Sequence, residues 1–195
     1  MLQIINKLFF VLAFLPFLNA FAMDDGDYRI ICHTRNKGMR ALEKTDVFLG
    51  FGEKVSLEEV SNSGHQKWTI KRVHTGLLGE PYYRIYWNID DTHRYLEAFP
   101  GQDRIVKPMR WANVPDQHWL IDNIGNGKFL ISCNTQNKGR KYLEAFPGDS
   151  VVRPVDRNYG EIDQEWRLER IWNPENLDYH FVDYSILLDD FGKPI

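Results

Sequence analysis

The sequence predicts an all-β domain made of three pseudosymmetric four-stranded units. Three observations carry this. The stretch Tyr95–Gly101, YLEAFPG, recurs 47 positions on as Tyr142–Gly148. The pattern Gln-x-Trp occurs three times, at Gln66–Trp68, Gln117–Trp119 and Gln164–Trp166. Each is preceded by a leucine–glutamate pair, Leu42-Glu43, Leu96-Glu97 and Leu143-Glu144, with the glutamate 23, 20 and 20 residues before the glutamine. Self-similarity at a fixed spacing is the mark of a repeated structural unit.

The elements follow in order along the 195 residues. Residues 1–22 read as a secretory signal peptide: Lys7, an apolar run, and Ala20-Phe21-Ala22 as the cleavage site. That run is too short to span a bilayer, and Pro16 interrupts it. Cleavage near Ala22 would deliver residues 23–195 to the periplasm or the exterior, and those 173 residues suffice for a core. The chain carries a net charge of −3, and Lys7 is the sole charge of the leader, so the remainder carries −4. That balance argues against nucleic acid and against an anionic membrane surface.

Residues 23–171 form the expected domain, with units at about 28–80, 81–127 and 128–171. Each unit opens on a β-branched and aromatic stretch: YRIICHT from Tyr28, YYRIYWN from Tyr82, KFLISCN from Lys128. Asn36-Lys37-Gly38, Asp90-Asp91 and Asn137-Lys138-Gly139 supply turns. CHTRNKG at Cys32 and CNTQNKG at Cys133 agree at five of seven positions. The leucine–glutamate strand comes second, and Pro100-Gly101 and Pro147-Gly148 turn the chain again. Ile105–Met109 and Val151–Val155 are third strands whose prolines suit an edge. The fourth starts at each Gln-x-Trp and alternates apolar and polar residues. Residues 172–195 are a C-terminal extension, with Phe181, Tyr184, Ile186, Leu187, Leu188 and Phe191 apolar enough to pack on the domain or to offer a strand to a partner.

Three Gln-x-Trp marks, each about 20 residues after a leucine–acidic pair, resemble the ricin B-chain lectin-like β-trefoil family. The resemblance covers Tyr28 to Ile171. It implies a β-trefoil and a sugar pocket in each unit, built from a carboxylate, a polar residue, an aromatic platform two residues on, and a residue just before the glutamine. At the carboxylate position stand Glu43, Glu97 and Glu144, one methylene longer than the family's aspartate. The polar position holds Ser56, Lys107 and Arg153. The platform position holds Glu58, Met109 and Val155, so the aromatic is missing, and Trp111 or Tyr159 is the nearest substitute. The residue before the glutamine is His65, Asp116 or Asp163. The resemblance thus points to carbohydrate binding by Glu97, Lys107, Trp111, Asp116 and Gln117 in the second unit. In the third it points to Glu144, Arg153, Tyr159, Asp163 and Gln164. The first unit, with Glu43 and Glu58 but no cation at these positions, is the least equipped. Lys107 and Arg153 suit a glycan carrying a carboxylate, or they pair with the neighbouring carboxylates. The glutamines can equally serve their own turns, and Trp68, Trp119 and Trp166 are core residues.

Other chemistries find little support. Cys32 and His33 are adjacent on a strand and point to opposite faces. Cys32 and Cys133 hold equivalent positions in the outer units, which favours two buried thiols over a disulfide. The six histidines show no metal-ligand spacing, and nothing marks a carboxylate pair for glycoside cleavage. No cofactor or enzymatic activity is expected. Two readings follow: an exported lectin-like carbohydrate-binding protein, or a secreted trefoil that binds a protein partner as inhibitor or effector with degenerate sugar pockets.

Overall fold

The computed structural model describes residues 23–46, 53–76, 79–89, 92–99, 105–136, 138–148 and 150–172. The expected signal peptide, the turns at Asp90-Asp91 and Pro100-Gly101, and the extension beyond Trp172 lie outside the described residues. Within them the chain forms twelve strands, in the order strand, strand, strand, short 3-10 turn, strand, three times over. The strands are β1 (Gly26–Thr34), β2 (Gly38–Asp46), β3 (Glu53–Glu59) and β4 (Trp68–Thr75); then β5 (Pro81–Ile89), β6 (Thr92–Phe99), β7 (Ile105–Met109) and β8 (Trp119–Gly125); then β9 (Lys128–Thr135), β10 (Gly139–Phe146), β11 (Val151–Val155) and β12 (Trp166–Arg170).

Every pairing is antiparallel. Six strands close on themselves: β1 on β4, β4 on β5, β5 on β8, β8 on β9, β9 on β12, and β12 back on β1. Closure leaves this barrel without a free edge. The other six form hairpins, β2–β3, β6–β7 and β10–β11. β11 also reaches β3 at Val151 and Ser56. Among the described residues the proline-bearing β7 pairs only with β6, the edge position that Pro108 allows.

The core follows the period of the strands. Ile30, Ile70, Ile85 and Ile131 point inwards from barrel strands, and Leu42, Leu96 and Leu143 from hairpins. Trp68, Trp119 and Trp166 are fully buried. Each indole Nε1–H donates to the carbonyl of the hairpin leucine, Leu42 at 2.8 Å, Leu96 at 2.9 Å and Leu143 at 2.9 Å. A ring of that size carries most of the burial energy, but its polar edge must be satisfied. The Leu-Glu and Gln-x-Trp marks are therefore coupled: one supplies the acceptor and the other the donor.

The CxT-x-x-x-G match also has a physical origin. Thr34 Oγ1 donates to Gly38 O at 2.9 Å, and Thr135 Oγ1 donates to Gly139 O at 2.8 Å. Both glycines sit at φ 68°, a left-handed conformation that side chains disfavour. Cys32 and Cys133 are buried free thiols, and burial raises the pKa of both. Strands β1 and β9 lie on either side of β12 and do not pair.

Candidate functional site

The glutamines stand not at the head of a strand but in three-residue 3-10 turns, Gly64–Gln66, Pro115–Gln117 and Ile162–Gln164. Such turns are too short to leave a periodic signal in sequence. Gln66 is 1% exposed, and Gln117 and Gln164 are 0% exposed. A buried amide must find partners for its carbonyl and both protons. In the second unit Gln117 Nε2 donates to Glu97 Oε2 at 2.6 Å and to Arg110 O at 2.7 Å, while its Oε1 accepts from Ala112 N at 2.9 Å. Gln66 does the same with Glu43 Oε2 (2.7 Å), Glu59 O (2.7 Å) and Ser61 N (2.9 Å). Gln164 does so with Glu144 Oε2 (2.5 Å), Asp156 O (3.0 Å) and Asn158 N (3.1 Å). All three glutamines thus use both amide protons inside the chain, and Gln164, whose Oε1 also accepts from Arg157, spends its whole hydrogen-bonding capacity there.

The geometry also explains the retained glutamate. Each carboxylate is fixed through Oε2 by a buried amide, and among the described residues Oε1 of Glu43, Glu97 and Glu144 accepts no hydrogen bond. The result is an oriented acceptor with one lone oxygen. Burial raises the carboxyl pKa of Glu97 and Glu144, opposed by the glutamine hydrogen bond. Asp116 and Asp163 are raised too, again mainly by burial. Folded carboxyls with raised pKa hold protons more tightly than unfolded ones. These four therefore oppose folding at neutral pH, and that burden fades as pH falls through their raised folded values. Urea midpoints should rise as pH is lowered from 7 into that range. Glu97→Gln, which keeps an acceptor for Gln117, should raise the pH 7 midpoint slightly and flatten its part of the slope.

The other sequence candidates are placed as follows. Lys107 and Arg153 face Glu97 and Glu144 across their hairpins, but lie over the rings of Phe99 (5.4 Å) and Phe146 (4.4 Å). Asp116 and Asp163 turn to the neighbouring unit. Asp116 Oδ1 accepts from Gln136 N and Asp163 Oδ1 from Arg35 N, each at 3.2 Å. Trp111 packs on Tyr95 at 5.0 Å and His118 at 5.5 Å, and the Arg84 guanidinium sits 4.0 Å over its ring. Burial and the nearby His74 and Arg84 lower the pKa of His118. Tyr159 is 88% exposed, with the Arg157 guanidinium 5.2 Å from its ring.

Some residues at these places escaped the sequence. Arg157 donates from Nη1 to Gln164 Oε1 at 2.9 Å and lies 5.7 Å from the ring of Tyr142. The hairpin registers Leu96–Pro108 and Leu143–Pro154 make it the counterpart of Trp111, the signal that could have found it. The first unit, expected to lack a cation, has an open cleft of about 500 Å³ lined by Lys37, Arg40, Glu43, Glu58, Glu59 and Ser150. Both cations come from the β1–β2 turn and β2, outside the family's motif positions, and Ser150 crosses from the third unit. Arg40 pairs with Glu59 at 3.5 Å. Among the described residues no group of three or more histidine, cysteine or acidic side chains could hold a metal, and no helix is long and apolar enough to cross a membrane.

A six-stranded barrel with three attached hairpins defines a β-trefoil. Solved structures agree. The BEL β-trefoil superposes with a TM-score of 0.56 at 15% identity, covering 77% of this chain and 96% of that one. The Polyporus squamosus lectin, bound to a human-type influenza-binding epitope, gives 0.56 at 14% identity over 76% of this chain and 50% of that one. An exo-β-1,3-galactanase from Clostridium thermocellum gives 0.57 at 20% identity over 76% of this chain and 31% of that one. This chain therefore spans half the lectin and about a third of the galactanase. At such identities the likeness is one of fold. No protein-family model and no curated protein matches the sequence.

Proposed function

We propose that this β-trefoil is an exported, non-catalytic carbohydrate-binding protein whose three units present equivalent acceptor sites. One observation carries the reading: in every unit a buried glutamine holds a glutamate by one oxygen, and the other accepts no hydrogen bond among the described residues. Glycan recognition needs fixed acceptors for hydroxyl protons, and a pre-oriented carboxylate supplies one without an ordering cost on binding. The first unit adds an open cleft, and the third adds exposed Tyr159 with Arg157 beside it. A lectin and an exo-β-1,3-galactanase among the structural neighbours support the class of ligand.

The alternative is a trefoil that binds a protein partner. It is favoured by the internal engagement of Asp116, Asp163 and Trp111, which takes three motif-derived candidates away from a ligand.

A glycan array probed with residues 23–195 tests the proposal. Glu43→Gln, Glu97→Gln and Glu144→Gln combined keep the glutamine contacts but remove the charge. Losing a charged acceptor costs about 1.5–3 kcal/mol, so retained signals should weaken about tenfold or more. Lys107→Ala with Arg153→Ala should weaken anionic glycans selectively. A blank array with folded protein would move the assignment to the protein-binding reading, and cleavage of any bound glycan would overturn the non-catalytic one.

A further inference from the structure

A second recess lies away from the Gln-x-Trp turns. It occupies about 410 Å³ between β4, the start of β1 and the end of β12, with Asp25, Lys71, Tyr86, Arg170 and Trp172 around it and Gly26 among its lining. None of these belongs to the repeated motif positions.

Its polar groups differ in how far they are occupied. Asp27 is spent: Thr69 Oγ1 donates to its Oδ1 at 2.7 Å, and Lys67 Nζ lies 2.8 Å from its Oδ2. Arg170 leans on Asp24 at 3.4 Å and on the Asp25 carbonyl at 3.4 Å. Asp25 is held in place but half used. Its Oδ1 accepts from Arg72 N at 2.7 Å, and among the described residues its Oδ2 accepts nothing. The Lys71 ammonium and the Tyr86 hydroxyl likewise have no hydrogen bond among the described residues. Beside them stands Trp172, 70% exposed. Trp172 thus sets an aromatic face beside donors and an acceptor that have no partner among the described residues. It matches a ligand with an apolar face and a rim of hydroxyls.

We infer that this recess is a second carbohydrate subsite, which takes a neutral pyranose with its C–H face on Trp172 and its hydroxyls on Asp25 Oδ2, Lys71 Nζ and Tyr86. The charges favour a neutral sugar: Lys71 and Asp25 line the same recess, and Arg170 pairs with Asp24, so neither sign is in surplus. The site is independent of the three glutamates, although its reading as a sugar site rests on the carbohydrate binding proposed above.

The test uses residues 23–195 labelled with ¹⁵N-tryptophan, with the Trp172 indole signal assigned from Trp172→Phe. The probes are the methyl glycosides of glucose, galactose, mannose and N-acetylglucosamine, titrated through the millimolar range. At least one should move the Trp172 signal saturably. Lys71→Ala or Asp25→Asn, which retains an acceptor for Arg72 N, should weaken that binding about tenfold, a change of about 1.4 kcal/mol. The combined Glu43, Glu97 and Glu144 to Gln variant should leave it unchanged. A Trp172 signal that no glycoside moves overturns the subsite. The carbohydrate reading itself is decided separately by the glycan array: a positive array with a silent Trp172 overturns the subsite alone, and a blank array with folded protein overturns both. A response that survives both Lys71→Ala and Asp25→Asn also overturns the subsite. So does a Trp172 fluorescence, taken as the difference from Trp172→Phe, that acrylamide cannot quench in the sugar-free chain, because the recess would then already be filled.

Discussion

Gln117→Glu is expected to destabilise the domain by about 3–5 kcal/mol at pH 7, the range for an uncompensated charge forced into the interior. The position is 0% exposed. The substitution replaces the Nε2 donor with an oxygen, 2.6 Å from Glu97 Oε2 and 2.7 Å from the Arg110 carbonyl. Two donor–acceptor contacts become repulsive. The new carboxyl would have a folded pKa raised by burial and by Glu97, so the destabilisation should fade as pH falls through that value. One shared proton can then rebuild the bridge to Glu97. Gln117→Ala is the control. It leaves Ala112 N, Arg110 O and Glu97 Oε2 without their partner, at about 1–3 kcal/mol for each buried group that water cannot reach. Urea midpoints at pH 7 and at pH 4 separate the two variants. A pH-independent loss in both would show that the amide acts by shape alone, and would also weaken the claim that it orients Glu97.

Lys44→Ala should cost about 3 kcal/mol. Lys44 lies on β2 with its side chain 4% exposed, an unusual place for an ammonium. Its Nζ sits 3.3 Å from Glu53 Oε1 and 3.9 Å from the ring centroid of Trp87. Glu53 in turn accepts from Arg94 Nε at 2.8 Å. The cluster ties β2 and β3 to β5 and β6 through charge and an aromatic face. A desolvated cation–π contact is worth about 2 kcal/mol, and the buried stem adds packing. The loss should stop short of a fully orphaned ion, because Glu53 keeps Arg94. Lys44→Met retains the stem and should recover about half of the deficit. The effect should persist in high salt, because a buried pair is poorly screened. A near-neutral Lys44→Ala would mean that water already reaches the cluster.

Much of this fold is legible in the letters because hydrophobic repetition reports packing directly. A leucine that accepts from a tryptophan indole, repeated three times at similar spacing, can only persist if each pair meets in the same way. The strand content, the turn glycines and the buried thiols are readable for the same reason. They depend on local periodicity and on residue size. The direction of polar side chains is not local. Asp116 could have faced a ligand or the backbone of the next unit, and the choice was made by where Gln136 N lies in the closed barrel. Arg157 and Lys37 could not be assigned to a site until hairpin register and turn placement were known.

The sequence by itself determined the all-β architecture and the regular spacing of each Leu-Glu before its Gln-x-Trp, because apolar repetition reports the core; that the two marks meet through hydrogen bonds came with the structure. The tertiary structure alone decided which oxygen of each glutamate the glutamine holds, that the first unit has an open cleft, and that Trp172, Asp25 and Lys71 line one recess. Those are outcomes of barrel closure, which brings side chains from distant strands within reach of one another and leaves no trace in their spacing along the chain.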